Sequence, residues 1–182
     1  LEEAIQLREQ SDLPILMMQG VYSTEAYDEL KKNEIWTTLH SLAQIPLAHQ
    51  YIDDLVFWIK INTGMNRLGL QLSELDKCQS FLKKRNVLMT HLACADNPDD
   101  ELNQMQFSKF DEAWKHTGQK LLRSVVNSAG SINFPEQSHD WSRVGIGMYG
   151  GLADMPELTT AMTFRSQIIG FQDLKIGERI GY

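Results

Sequence analysis

An α/β fold built on a parallel sheet is what this sequence predicts, and three observations carry it. Short apolar runs alternate with longer amphipathic ones along the 182 residues. The short runs are apolar at nearly every position, as strands covered on both faces must be. Polar and charged residues gather where those runs end, which is the pattern of a parallel α/β protein whose ligand sits at the strand C-termini.

Six runs read as strands: "PILMMQG", "IWTTLH", "LVFWIKIN", "NVLMTHLA", "LRSVVNSAG" and "SRVGIGMYG". Between the third and the fourth, Ser73 reads as a helix N-cap with Asp76 three residues on. Leu75, Cys78 and Leu82 then follow at helical spacing. After the "NPDD" turn, Leu102, Met105, Phe110 and Trp114 mark one face of another helix. Strands alternating with helices give the α/β class. The segment "GLADMPELTT" interrupts that alternation, and "AMTFRSQIIGFQDLKIGERIGY" reads as β-rich with a turn at "KIGE". The chain is therefore divided into an α/β domain over 1–157 and the beginning of a β domain over 158–182. Its opening, "LEEAIQLREQ", reads as the middle of a domain, which predicts a piece of a longer protein.

Composition narrows the partners. The net charge is −7, with no cluster of lysine or arginine, so nucleic acid and anionic membranes are not expected. No apolar run approaches the length of a membrane span. Cys78 and Cys94 lie in no metal-ligand spacing, and two cysteines make no disulfide framework. A reducing, cytoplasmic setting is the expectation.

The strand ends carry the chemistry. His40 ends the second run, Lys60 and Asn62 the third, His91 the fourth, and Asn127 and Ser128 the fifth; Arg143 and Gly145 lie in the sixth. Any one of these could merely cap its strand, but a series over five strands reads as a site. "KINTGMNRLGL" is the most demanding stretch, because Lys60 and Arg67 bring two cations to the end of a buried strand. Two desolvated cations repel, and lysine is the one able to give up its charge. Either an anion sits between them, or Lys60 is modified, or Lys60 snorkels to solvent with Arg67 on the surface.

"KINTGMNRLG" resembles the K-x-D-T-G-M-x-R-L-G signature of alanine racemases, which interconvert L- and D-alanine with pyridoxal 5'-phosphate. "THLACAD" is similar to that family's H-F-A-x-A-D, "NSAGSINFPEQSHDWSRVGIGMYG" to its N-S-A-A … R-x-G-I-x-x-Y-G, and "GERIGY" to its G-x-x-V-G/S-Y-G, all in family order. The resemblance implies a partial (β/α)8 TIM-type barrel, strands three to eight, followed by the start of a β-rich C-terminal domain. A whole barrel takes about 250 residues. It also implies an alanine substrate, D-alanine supplied for peptidoglycan, and a homodimer in which Tyr182 acts in the other subunit's site.

The family's roles then fall on matching positions. Arg143 matches the arginine bonded to the cofactor's pyridine nitrogen, and His91 a histidine that bonds this arginine on one side and the catalytic tyrosine on the other. Tyr182 matches that tyrosine, a base on one face of Cα. Ser128, Gly145 and Ile146 match the phosphate site, where a glycine would let the backbone approach closely. Arg67 matches the arginine that engages both the cofactor and the substrate carboxylate. Lys60 matches a lysine often carbamylated, which would make one of the two cations an anion; Asn62 stands where the family has aspartate. The family's second base is a lysine within K-A-N-A-Y-G-H on the first strand, and nothing of that kind occurs here. The piece alone is therefore expected not to turn over. Two alternatives stay open: a racemase of the same fold acting on another amino acid such as serine or lysine, and a non-catalytic binder of the cofactor.

Overall fold

The computed structural model describes residues 1–152 and 158–180. Five short strands lie side by side in chain order: β1 (Ile15–Met17), β2 (Ile35–Leu39), β3 (Phe57–Lys60), β4 (Val87–Met89) and β5 (Leu122–Ser124). Every neighbouring pair is parallel, with registers that include Thr38 opposite Trp58, Ile59 opposite Leu88 and Met89 opposite Ser124. Parallel strands that follow one another both in sequence and in space, joined by crossovers of the usual right hand, place the connecting helices on one face. That arrangement builds a sector of a barrel rather than a doubly wound sheet.

The two faces bury different things. Toward the helices, Leu39, Phe57, Ile59 and Leu88 join a core that includes Tyr27 and Leu30 of α2 (Thr24–Lys32) and Phe107 and Phe110 of α4 (Glu101–His116). On the other face Trp58, Val87 and Met89 form a smaller cluster with Leu16, Trp36, Val56 and Leu122. Trp141 closes over it, its ring 5.8 Å from that of Trp36 and 5.7 Å from that of Trp58. This double burial is why the strand sequences lack polar alternation.

Local chemistry sets the helix starts. Ser23 caps α2 by accepting from the Ala26 N–H, and Asp100 caps α4 by accepting from Leu102. The α4 helix is present where the "NPDD" turn predicts it, but its buried face runs through Asn103, Gln106, Phe107, Phe110 and Ala113; Met105 is exposed. The stretch after β3 is a 3-10 helix, Leu72–Phe81, not an α-helix capped by Ser73. Its start lies upstream, where the Gln71 N–H donates to the Glu74 carboxylate at 2.8 Å. Leu72, Leu75, Cys78 and Phe81 recur every three residues, which is the period of a 3-10 helix.

The sixth run is corrected as well. Only Arg143 pairs, in a single bridge with Asn127, before the chain turns into a 3-10 helix over Ile146–Tyr149. Gly150 ends that turn at φ +71°. Residues 158–180 are exposed and form a turn in which Glu178 N–H donates to the Lys175 carbonyl; they form no strand among the described residues. A strand needs neighbours to pair its backbone, and this segment pairs with neither edge of the sheet, β1 or β5. Tyr182 and the boundary at 157 lie outside the described residues. No helix among those described is long and apolar enough to cross a membrane.

Candidate active site

Parallel pairing brings the predicted residues to one end of the sheet. Lys60 is the last residue of β3 and stands opposite Met89, the last residue of β4, so His91 follows two residues beyond the end of the adjoining strand. A cleft of about 860 Å³ opens at this end, lined among others by His91, Asn127, Ser128, Arg143, Gly145 and Ile146. Its size is that of a small-molecule site.

Arg143 reaches back under the sheet ends. Its guanidinium donates to the Ser124 hydroxyl, to the Thr90 carbonyl and, at 3.2 Å, to the Val125 carbonyl. Its Nε–H is buried and has no acceptor among the described residues. Burial alone pulls the guanidinium down to about 10, so it remains a cation and a pure donor at neutral pH. His91 is pushed down to about 4, first by burial and then by the positive charges of Arg143, Arg67 and Lys60. It is a neutral imidazole, and among the described residues its ring makes no hydrogen bond, so Arg143 influences it through charge alone.

Lys60 does not snorkel: it is 7 % exposed and has no carboxylate partner among the described residues. Burial, then Arg67 and Arg143, hold its amine below the usual lysine range. Arg67 is the exposed member of the pair, on a loop held at both ends. Leu70 N–H donates to the Lys60 carbonyl at 2.8 Å, and Asn62 N–H to the Leu70 carbonyl at 2.9 Å. Inside the loop, the Asn62 side-chain oxygen accepts from the N–H groups of Gly64 and Asn66. Asn62 is thus a turn former, a task that an aspartate oxygen would also perform.

On the far wall, Ser128 begins the short helix α5 (Ser128–Asn133), and its Oγ accepts from the N–H groups of Gly145 and Gly147 at 3.0 and 3.1 Å. Asn127 caps α5 through Gly130 and donates to the Leu92 carbonyl, so it braces the wall instead of facing a ligand. At Gly145 nothing among the described residues lies within 4 Å of where a Cβ would stand, so the wall of the cleft is open there. His40 is a satisfied core histidine, bonded to the Tyr22 hydroxyl and the Gln19 carbonyl.

Sequence reasoning passed over four residues that hold these groups in place: Thr63, Thr90, Gln106 and Ser124. Gln106 had a readable signal, an amide among the apolar residues of the buried face of α4. Thr63 sits inside the "NTGM" stretch, but nothing in the sequence says that it is buried.

The donor set suits pyridoxal 5'-phosphate. Among the described residues the Nε–H of Arg143 has no acceptor, a donor that would fit a ring nitrogen, and Ser128, whose oxygen accepts from two amides, keeps an O–H that would fit a phosphate.

Comparison with known proteins places the chain among relatives of one family. The model of the family described as "Alanine racemase, N-terminal domain" matches residues 1–153. The alanine racemase of Hahella chejuensis is 37% identical over the whole chain, which covers 54% of that protein. The structure of alanine racemase from Acinetobacter baumannii matches all of this chain and 55% of its own, at a TM-score of 0.81 and 29% identity. That of the Bartonella henselae enzyme, described with covalently bound pyridoxal phosphate, shares the fold at a TM-score of 0.75 and 23% identity. The chain spans about half the length of the curated relatives it matches.

Proposed function

This chain belongs to the alanine racemase family, and we propose from that premise that it forms the core of an enzyme interconverting L- and D-alanine, in the cytoplasm, with pyridoxal 5'-phosphate. The observation that carries the reading is the convergence of His91, Arg143, Ser128, Gly145 and Ile146 on one cleft, with the unpaired Nε–H of Arg143 among its groups. When bound, the cofactor would withdraw electrons from the substrate's Cα and so acidify its proton.

The residues of this chain then divide the work. Arg143 donates to the ring nitrogen; having no lone pair to give and no proton to lose, it keeps that nitrogen unprotonated. By withholding a proton there, Arg143 would favour removal and return of the α-proton over loss of carbon dioxide. Ser128, with the backbone at Gly145 and Ile146, holds the phosphate. Arg67 presents its planar fork to the substrate carboxylate and fixes which face of Cα meets which base. Lys60 is carbamylated: burial, then Arg67 and Arg143, hold its amine below the usual lysine range and so favour the free amine that adds to carbon dioxide with loss of a proton, and the resulting anion partners Arg67.

The two bases are Tyr182, acting in the site of the other subunit of a homodimer, and a lysine not found in residues 1–182. A phenol ordinarily titrates near 10, and the neutral imidazole of His91 beside the Arg143 cation is the relay that lets it work at neutral pH. The segment 158–182 opens the β domain that completes the phosphate site and the substrate entrance. Alone, residues 1–182 do not racemise.

The test is to express the complete protein encoded by the gene, load it with pyridoxal 5'-phosphate and follow D-alanine from L-alanine, with D-serine from L-serine alongside. Faster D-alanine production supports the reading. Preference for serine would make it a different racemase of the fold, and tight cofactor binding with no racemisation of either would make it a binder.

A further inference from the structure

Behind the cleft lies a polar network that no role assigned above uses. Gln106, Thr63 and Thr90 are each at most 1 % exposed and come from three places: the middle of α4, the loop after β3 and the end of β4. The amide nitrogen of Gln106 donates to Thr63 Oγ1 at 3.0 Å and to the His91 carbonyl at 2.9 Å, while its oxygen accepts from the Ala93 N–H at 2.9 Å. Thr63 Oγ1 and Thr90 Oγ1 are 2.7 Å apart, and Thr90 Oγ1 donates to the Ile61 carbonyl at 3.0 Å.

Only one direction of donation satisfies all of these. Thr90 spends its single hydroxyl proton on Ile61, so Thr63 must donate to Thr90. Thr63 Oγ1 then accepts from Gln106, whose second N–H goes to His91. The run is Gln106 to Thr63 to Thr90 to Ile61, with each donor used once. The carbonyl of Thr90 in turn receives the Arg143 guanidinium. A fully satisfied buried network of this kind is rigid, and each member is costly to break.

We propose that Gln106, acting through Thr63 and Thr90, is the positioning residue that fixes the Lys60–Arg67 loop, the His91 backbone and the Arg143 guanidinium at set distances from one another. This rests on the racemase reading for its consequence, since it ties the carboxylate-facing side of the site to the relay side. A helix at the back of the sheet thereby controls the spacing of groups at its front.

The experiment uses the complete protein and three variants: Thr63→Val, Thr63→Ser and Gln106→Met. In the unliganded wild type, the Ala93 amide should exchange with solvent deuterium as slowly as the strand amides. In Thr63→Val and Gln106→Met the His91 ring, followed by NMR, should titrate higher by about half a unit or more as its loop loosens into solvent. With cofactor and alanine, kcat should fall about tenfold or more while KM changes far less, because misplacement acts on the reacting geometry. Thr63→Ser, which keeps the hydroxyl, should restore both. Fast exchange of the Ala93 amide in the wild type overturns the proposal. So does a folded Thr63→Val or Gln106→Met protein with an unshifted His91 titration. If the wild type does not racemise, the functional reading falls, and the exchange and titration results still decide the network.

Discussion

The guanidinium of Arg143 donates to the carbonyl of Thr90, a residue 53 positions earlier in the chain. This bond does in three dimensions what a sixth strand would have done. It fastens the segment after α5 to the end of β4, while the N–H groups of Asp140 and Trp141, both donating to the Arg123 carbonyl, and the Asn127–Arg143 bridge hold that segment along β5 and its continuation. One side chain therefore both clasps the fold and lines the cleft.

Arg143→Lys separates those two duties. A lysine keeps the charge but cannot reach Ser124, Thr90 and Val125 while also presenting a planar N–H. Several buried carbonyl and hydroxyl acceptors lose their donor, and the complete protein should lose about 3 kcal/mol of stability by denaturant titration. The absorbance of bound pyridoxal 5'-phosphate should change as well, because the group facing its ring nitrogen has changed. A variant with wild-type stability and an unchanged cofactor spectrum would remove Arg143 from both roles.

The neutral His91 gives a pH signature. Its folded value of about 4 lies below the ordinary 6.5, so between those two the unfolded chain binds a proton that the folded protein refuses. Stability therefore falls as pH drops from 6.5 to 4, and this loss stops growing below 4. Because His91 is only partly buried, about 2 kcal/mol is the scale of its share. His139 is also held low by burial, so the measurement to make is the difference between wild type and His91→Gln across pH 4 to 7. Parallel curves would show that His91 is not the group that titrates.

Lys60 opposes folding as an amine and favours it as a carbamate. Its folded value lies below that of the unfolded chain, so the unfolded state holds the proton more tightly and stability rises with pH as 10.5 is approached. In carbon-dioxide-free buffer, Lys60→Met should be more stable than wild type by about 1 kcal/mol, since it removes a buried amine that has no carboxylate partner among the described residues. Bicarbonate should then raise the melting temperature of the wild type and leave Lys60→Met unmoved, with a carbon-13 carbamate signal from labelled bicarbonate in the wild type alone. No response in either protein would leave Lys60 an unmodified amine.

How much of this was legible in the sequence depends on the kind of order involved. Strand runs that bury both faces announce themselves, and the clustering of Lys60, His91 and Ser128 at strand ends follows once the strands are parallel. The 3-10 helix over Leu72–Phe81 was open to reading from its three-residue apolar spacing. The sixth run was not, because alternation in "SRVGIGMYG" cannot say that glycines at 145, 147 and 150 turn the chain away after one bridge. Thr63 and Thr90 stayed hidden for a related reason: burial of a hydroxyl is decided by a partner 27 positions away.

Two glycines of the site test opposite physics. Gly69 has φ +134°, and a Cβ placed there would stand 2.6 Å from the Asn62 nitrogen, which already donates to Leu70. Gly69→Ala must therefore deform the loop that carries Arg67, at a cost of about 2 kcal/mol or more. Gly145 has no neighbour within 4 Å of its missing Cβ and an ordinary negative φ of −104°. Gly145→Ala should fold and melt like wild type to within about 0.5 kcal/mol, as substitutions clear of packed groups do. Its methyl group nevertheless adds bulk to the wall shared with Ser128, so the affinity for pyridoxal 5'-phosphate should drop about tenfold when read from cofactor absorbance, as when a ligand is denied close approach to backbone N–H groups. Gly69→Ala should show the reverse bias, with its loss in stability and in KM for alanine. A Gly145→Ala protein that binds the cofactor as tightly as wild type would take residue 145 out of the phosphate site while leaving Ser128 and Arg143 in place.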